Sequence, residues 1–433
     1  MKPQGTVVAL IVMHATFCSI TTMKIKLNKY LLLVLLLTHY SNISHAYSVL
    51  SHEALIDASW DHYIVPLLKA KYPSLNDSLL KEAHAYAYGG AVAPDMGYYP
   101  LGSKLFTNLV HYVRSGDFTI SLLNEASNAN EYAFALGSLC HYYADVYGHR
   151  LGVNVSVPIT YPKDQKKFGN KVTYEQDETA HKRMEFAFDV TETAKGNYAS
   201  NAYHDFIGFK VADSVLERAF YKTYNLHISD IFPNFSRAVE TFRWSVKNFF
   251  PALTKAAWAS KKAAIKKHDP TMTAKRFRYK MKSVNYNKEF GKEREKPGVF
   301  SFLFAGLIKI LPKIGPLAPL KFKLPSPEVE KIYIQSFDSV QLHYSTALRI
   351  LHSKRLELGN KDFDTGIDTE PGEYKLADKT YYDLLLKVTH KNEPVNSALK
   401  RNMISFFKNL QLSNEKETEK KEIAVALSQL NSR

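Results

Sequence analysis

The sequence predicts an all-α protein. Three observations carry this. Apolar residues recur at three- and four-residue spacing, caps and glycines bracket several of those stretches, and strand-type alternation is nearly absent. At 433 residues, 45% hydrophobic and 13% aromatic, the chain can bury a sizeable core and does not have the composition of a disordered protein. Two cysteines, Cys18 and Cys140, exclude a disulfide scaffold or a zinc ribbon. Metal chemistry, if any, must come from the 16 histidines and from carboxylates.

Residues 1–46 read as targeting rather than fold. From Met23, Lys24, Lys26 and Lys29 make a basic start, an apolar run follows over 30–37, and Ser44-His45-Ala46 puts small residues at −3 and −1 of a cleavage point. Such a run is too short to span a bilayer. Residues 1–22 then precede an expected start at Met23. The alternative is an uncleaved anchor, because residues 7–13 form a second apolar patch. Cleavage after Ala46 would remove four lysines and no acid, taking the net charge from +15 to +11.

Residues 48–71 place Leu50, Ala54, Leu55, Ala58, Ile64, Leu67 and Leu68 at helical spacing. Residues 76–91 begin Asn-Asp-Ser and stop at Gly89-Gly90, a cap at each end. Ala93-Pro94-Asp95 is expected as a loop, since a residue before proline avoids the helical region. Further helices are expected over 103–115, 119–151, 173–197, 202–225, 229–250, 252–268, 328–355 and 376–390.

Residues 269–327 differ in character. Basic residues crowd 275–296, an apolar run follows at 299–311, and a Pro/Lys-rich exit reaches Pro325. That run, about 13 residues, is below the roughly 18 needed for a transmembrane helix. It reads as a segment packed on the helical core or as an interfacial element whose flanking lysines meet anionic headgroups. The tail from Ser413, rich in Glu and Lys, reads as a solvated helix or frayed end. Asp362-Phe-Asp364-Thr-Gly-Ile-Asp368 has the outline of a calcium loop, yet Gly366 sits where a ligand belongs and Ile367 takes the glycine position. It reads as a turn. His204, His227, His343, His352 and His390 have no partners at ligand spacing.

One stretch is chemically pointed. In Leu139-Cys-His141-Tyr-Tyr-Ala-Asp145-Val-Tyr-Gly-His149, three ligand-type residues stand at i, i+4 and i+8. Each four-residue step turns the helix only about 40°, so all three face one sector. His181-x-x-x-Glu185 repeats the spacing on another helix, and facing helices are how bundles build metal sites from N and O ligands. His52, Asp95 and His111 are further candidates upstream. Singly, a lone helix histidine is more often a hydrogen-bonded core residue, and Asp after Pro a turn or cap. With the two spaced motifs they join a candidate ligand set.

The order His52, Asp95, His111, His141-x3-Asp145-x3-His149, His181-x3-Glu185 resembles the zinc-dependent phospholipase C family, over roughly residues 47–250. A similar order occurs in the single-strand-specific zinc nucleases and in the N-terminal domain of glycosylphosphatidylinositol-specific phospholipase D. The Asp145-to-His149 gap is shorter than in the bacterial phospholipases C and looks more like the phospholipase D branch. The resemblance implies a phospholipase C/zinc-nuclease-type helical domain over 47–268. Residues 269–327 would be an insertion or interfacial segment, and 328–433 a less defined helical C-terminal extension.

The same resemblance implies a centre of two or three zinc ions. One would be held by Asp95, His111, His141 and Asp145, and a second by His149, His181 and Glu185. A third would use His52, the bridging Asp145, and the main-chain amino group and carbonyl of a mature N-terminal Tyr47, where family members often have Trp. Asp95 would also take the proton from the attacking water. Tyr98 and Tyr99, beside it, are candidate pocket walls or simply packed tyrosines.

The implied reaction is phosphodiester hydrolysis. The expected substrate is a phospholipid headgroup at a membrane surface, met by a secreted or periplasmic, membrane-associated enzyme. The alternative is an extracellular single-strand-specific nuclease, its basic charge drawing nucleic acid; Glu185 favours the lipid branch, since the nucleases tend to carry Asp there. A non-catalytic, metal-stabilised binding domain is the third reading. No residue pattern points to a protein partner.

Overall fold

The computed structural model describes residues 49–195, 209–246, 257–258, 261–263, 265–267, 315–391, 393–410 and 417–432. The expected signal segment, Tyr47, His204, the apolar run 299–311 and most of the expected helix 252–268 lie outside them. The described residues, Gly315 and Pro316 aside, belong to one compact unit. They form helices and turns, with no strand among them beyond an isolated bridge between Lys361 and Asp368.

Helix α1 (Val49–Ser59) passes through a π turn (Trp60–Ile64) into α2 (Val65–Lys71), whose Pro66 lies in the first turn, where a missing N–H costs little. Asn76 caps α3 (Asp77–Val92), its side-chain oxygen accepting from Leu79 N at 3.0 Å. The expected stop at Gly89-Gly90 is not a stop. A Cβ on Gly90 would lie 1.8 Å from the Phe134 carbonyl oxygen, so this glycine serves close helix packing rather than termination.

Ala93-Pro94-Asp95, expected as a loop, opens a 3-10 turn (Ala93–Tyr98) instead. Ala93 keeps a helical backbone (φ −60°, ψ −34°) ahead of the proline. Tertiary hydrogen bonds hold the turn: Gly97 N donates to Thr107 Oγ1 at 2.8 Å, and that hydroxyl donates to Pro94 O at 2.6 Å. Thr107 belongs to α4 (Lys104–Tyr112), capped by Ser103.

The single helix expected over 119–151 is broken. Helix α5 (Ser115–Glu125) ends, and α6 (Ala129–Gly148) begins on Asn128, whose side chain accepts from Glu131 N at 3.0 Å. Glu131 Oε2 in turn accepts from Ser127 N and Ser127 Oγ, both at 2.8 Å, so the cap outweighs the continuing apolar pattern. Helix α6 runs on through a π turn (His149–Val153) into α7 (Asn154–Thr160), followed by α8 (Pro162–Phe168). Helix α9 (Glu178–Lys195) starts later than the expected 173, where Asp177 accepts from Ala180 N at 2.8 Å.

Then come α10 (Asp213–Tyr224), α11 (Phe235–Trp244), α12 (Pro327–Ser353) and α13 (Lys375–His390). Helix α14 (Ser397–Asn409) was not expected; Asn396 caps it and Leu399, Met403, Phe406 and Phe407 form its buried face. The tail forms α15 (Glu417–Ser432), and it is no mere solvated end: Ile423, Ala426 and Leu430 are buried.

The core is built on α3 against α6. A Cβ on Gly137 would fall 2.0 Å from the Ala87 carbonyl oxygen, so the two backbones nearly touch. Helix α12 lies along the other side of α6, where Tyr344 donates to Leu136 O at 2.9 Å. Its Tyr333 ring stacks on Phe188 of α9 at 4.2 Å.

Candidate metal centre

Eight of the nine candidate ligands lie in described residues, and the structure brings these eight into one buried region. His52 comes from α1, Asp95 from the 3-10 turn, His111 from α4, His141 and Asp145 from α6, His149 from the π turn, His181 and Glu185 from α9. Each is at most 1% exposed. Their donor atoms fall into three groups that each lie within 4.8 Å: His52, His141 and Asp145; Asp95, His111 and His141; His149, His181 and Glu185.

Asp145 sits between the groups. Its Oδ1 is 3.5 Å from His52 Nε2 and 3.8 Å from His149 Nε2, and its Oδ2 is 3.1 Å from His141 Nε2 and 3.4 Å from His111 Nε2. Neither oxygen has a hydrogen-bond partner, although both are buried. Asp95 Oδ1, 3.3 Å from His111 Nε2, is buried without one as well. Unsatisfied carboxylate oxygens at this depth are costly unless a cation meets them.

The histidines are oriented for that cation. His111 Nδ1 faces Thr107 O at 2.8 Å and His141 Nδ1 faces Ala91 O at 2.8 Å; each must donate there, since a carbonyl only accepts. That turns both Nε2 atoms, 3.4 Å apart, toward Asp145 and Asp95. Ala91 reaches His141 because the glycine contacts let α3 approach α6. The close packing of the core and the aim of the ligand are therefore one structural fact.

The electrostatics agree. Burial opposes a charge on His111, but its contacts with Asp145 and Asp95 outweigh it and raise its pKa to about 10. A place that holds a proton so firmly favours a cation in general. Burial, then the neighbouring His141 ring, lowers His52 well below the ordinary value, and burial with His149 does the same to His181. Both are kept neutral, the form that binds metal. Glu185 is raised by burial and then by Asp145, Asp95 and Asp364, an excess of negative charge that divalent ions would offset.

The donor set, imidazole and carboxylate without thiolate, suits zinc. Residues 39–234 match the family model described as zinc dependent phospholipase C. This segment is a zinc-dependent phospholipase C family domain. That family consists of zinc-dependent hydrolases, and its fold is all-α, as found here. All eight placed ligand candidates fall inside the matched segment. No curated protein and no solved structure matches the chain.

Sequence spacing missed residues around these ligands. The segment 362–368, read only as a turn, is a turn, but it packs on the centre. Phe363 N donates to His111 O at 3.2 Å, its ring lies 5.0 Å from that of His111, and Asp364 Oδ1 stands 3.8 Å from His149 Nδ1. Asn154 Oδ1 lies 2.7 Å from His181 Nε2. The three aspartates of 362–368 are a visible signal, although their spacing reads as a turn rather than a calcium loop; for Asn154 there is none. Of the two tyrosines beside Asp95, Tyr98 meets the His111 ring edge-on at 6.3 Å, and Tyr99 packs on Phe242 at 4.4 Å.

Proposed function

We propose that this chain is a phospholipase C-type phosphodiesterase that cleaves glycerophospholipid between glycerol and phosphate, outside the cytoplasm and at a membrane surface. The observation that carries the reading is the Asp145 carboxylate, unsatisfied by hydrogen bonds and within 3.8 Å of histidines from all three candidate ligand groups inside the family-matched segment. Zinc ions, when bound, supply an acidified water and positive charge against the phosphate. Asp95 stands in the group with His111 and His141, its buried Oδ1 without a hydrogen-bond partner, a place from which it can accept the water's proton. Thr107 and Ala91 hold His111 and His141 in one tautomer, so no reorientation is needed on turnover.

The net charge of +15 supports attraction to an anionic surface. No helix among the described residues is long and apolar enough to cross a membrane, so a lipid substrate would be reached from its surface. The test is release of diacylglycerol from mixed-headgroup liposomes by the zinc-loaded protein. Degradation of single-stranded DNA without any diacylglycerol would move the assignment to the nuclease branch, and neither product would remove the catalytic reading.

A further inference from the structure

The loop around Asp364 lies far beyond the family-matched segment, yet it reaches both histidines of the group His149, His181 and Glu185. The side chain of Asp364 serves the first. Its Oδ1 faces His149 Nδ1 at 3.8 Å, outside hydrogen-bond length but within ion-pair range, on the side of the ring opposite Asp145. Its Oδ2 accepts from Tyr112 Oη at 3.0 Å and from Tyr374 Oη at 2.5 Å. Two phenols thereby hold one oxygen and leave the other for the imidazole.

The backbone of Asp364 serves the second histidine. Asn154 Nδ2 donates to the Asp364 carbonyl at 2.6 Å, which fixes the amide's orientation. Asn154 Oδ1 therefore faces His181 Nε2 and can only accept. Val172 O, 3.2 Å from the same nitrogen, also only accepts. The ring proton must lie on Nε2, which leaves Nδ1 as the lone-pair atom, 3.2 Å from Glu185 Oε1. His181 thus presents Nδ1, whereas His111 and His141 present Nε2.

The loop is pressed into place. Gly366 has φ +69°, and a Cβ there would fall 2.2 Å from Val146 O, the residue after Asp145. Asp362 Oδ1 accepts from Asp364 N and Thr365 N at 2.8 and 3.0 Å, closing the turn.

We infer that Asp364 is a positioning residue for the second metal-ligand group, orienting His149 through its carboxylate and His181 through its carbonyl and Asn154. The inference rests on the reading that the cluster binds zinc. Carboxylate or carbonyl partners on a ligand imidazole set its tautomer and basicity, and losing one costs about 10–100-fold in metal affinity.

The experiment is a competitive zinc titration of the full chain against a chromophoric chelator, with cobalt absorption spectra alongside. Asp364→Asn keeps the size and the backbone carbonyl but removes the charge facing His149. It should weaken one ion by about 10–100-fold and change its cobalt spectrum, with an unchanged melting temperature in excess chelator. Asn154→Ala should weaken the same ion through His181. Tyr374→Phe, which removes one phenol from Asp364, should do so less and keeps the test open if Asp364→Asn does not fold.

Wild-type protein that binds zinc, with all three variants titrating as it does, overturns the inference alone. A melting temperature lowered in chelator with zinc affinity intact also overturns it, since Asp364 would then be a structural prop. Wild-type protein that binds no zinc overturns the underlying reading as well.

Discussion

Nε2 of His111 and Nε2 of His141 lie 3.4 Å apart, each ring pinned from behind by a carbonyl oxygen, Thr107 O and Ala91 O respectively. Neither nitrogen can donate to the other when Nδ1 carries the proton, so an ion between them and Asp145 resolves the contact. His141 enters two ligand groups and His149 one. His141→Ala should therefore cost more bound zinc per chain than His149→Ala, as read by elemental analysis after gel filtration. Equal losses would contradict the shared role of His141.

Metal should also stabilise the fold, because the ligands come from four helices and two turns that the ions would tie together. Free zinc at 100 times its dissociation constant adds about 2.7 kcal/mol by mass action. The melting temperature should fall when a strong chelator is added and return with zinc. No response to either addition would count against a buried centre.

Gly137→Ala should destabilise the protein and disturb the ligands together. The new methyl would meet Ala87 O at 2.0 Å, and α3 could only make room by carrying Ala91 O away from His141. Overpacking of this kind costs about 1–3 kcal/mol. Urea unfolding and zinc affinity should both weaken, whereas a change in stability alone would uncouple helix contact from ligand aim.

Gly366→Ala combines a left-handed backbone (φ +69°) with a 2.2 Å approach to Val146 O. The conformation alone costs an L-residue about 1–2 kcal/mol. The expected outcome is faster proteolysis of the loop 360–369 and weaker binding of one zinc ion. Wild-type proteolysis would show that α6 does not need this glycine.

Glu131 supplies a pH signature remote from the metal. Burial alone would raise its pKa, but the Ser127 donors and the Arg218 guanidinium outweigh it and hold it below the ordinary value of 4.5. A depressed carboxylate contributes stability above 4.5 and loses it as pH falls below. In chelator, Glu131→Gln should be less stable than wild type by about 1 kcal/mol at neutral pH. The gap should close in acid, and a pH-independent gap in the urea midpoints would reject this account.

The helical class and the two i, i+4 motifs were legible because both are local. Periodicity puts apolar residues on one face whatever the neighbours are, and a four-residue step puts His141 under Asp145 in any α-helix. The break at Asn128 was less legible, since an uninterrupted apolar pattern concealed a capping group that only hydrogen bonding reveals. Gly89-Gly90 misled for a related reason. Alone, glycine pairs signal a stop; here Gly90 marks the place where another backbone comes close.

The chain's own residue order determined the candidate ligand types, their sector on α6 and α9, and an all-helical build, since each depends on a few neighbouring positions. The packed molecule alone decided which nitrogen His141 and His181 present, whereas His111 takes its partner from its own helix. Ala91 and Thr107 set it for His141 and His111, and Asn154 for His181. Ala91 and Asn154 lie 50 and 27 residues from their rings, and the Asp364 carbonyl that orients Asn154 lies 210 residues beyond it. A tautomer is chosen by whatever acceptor the far side of the ring meets, and for contacts between distant segments that is settled only when the helices close on one another.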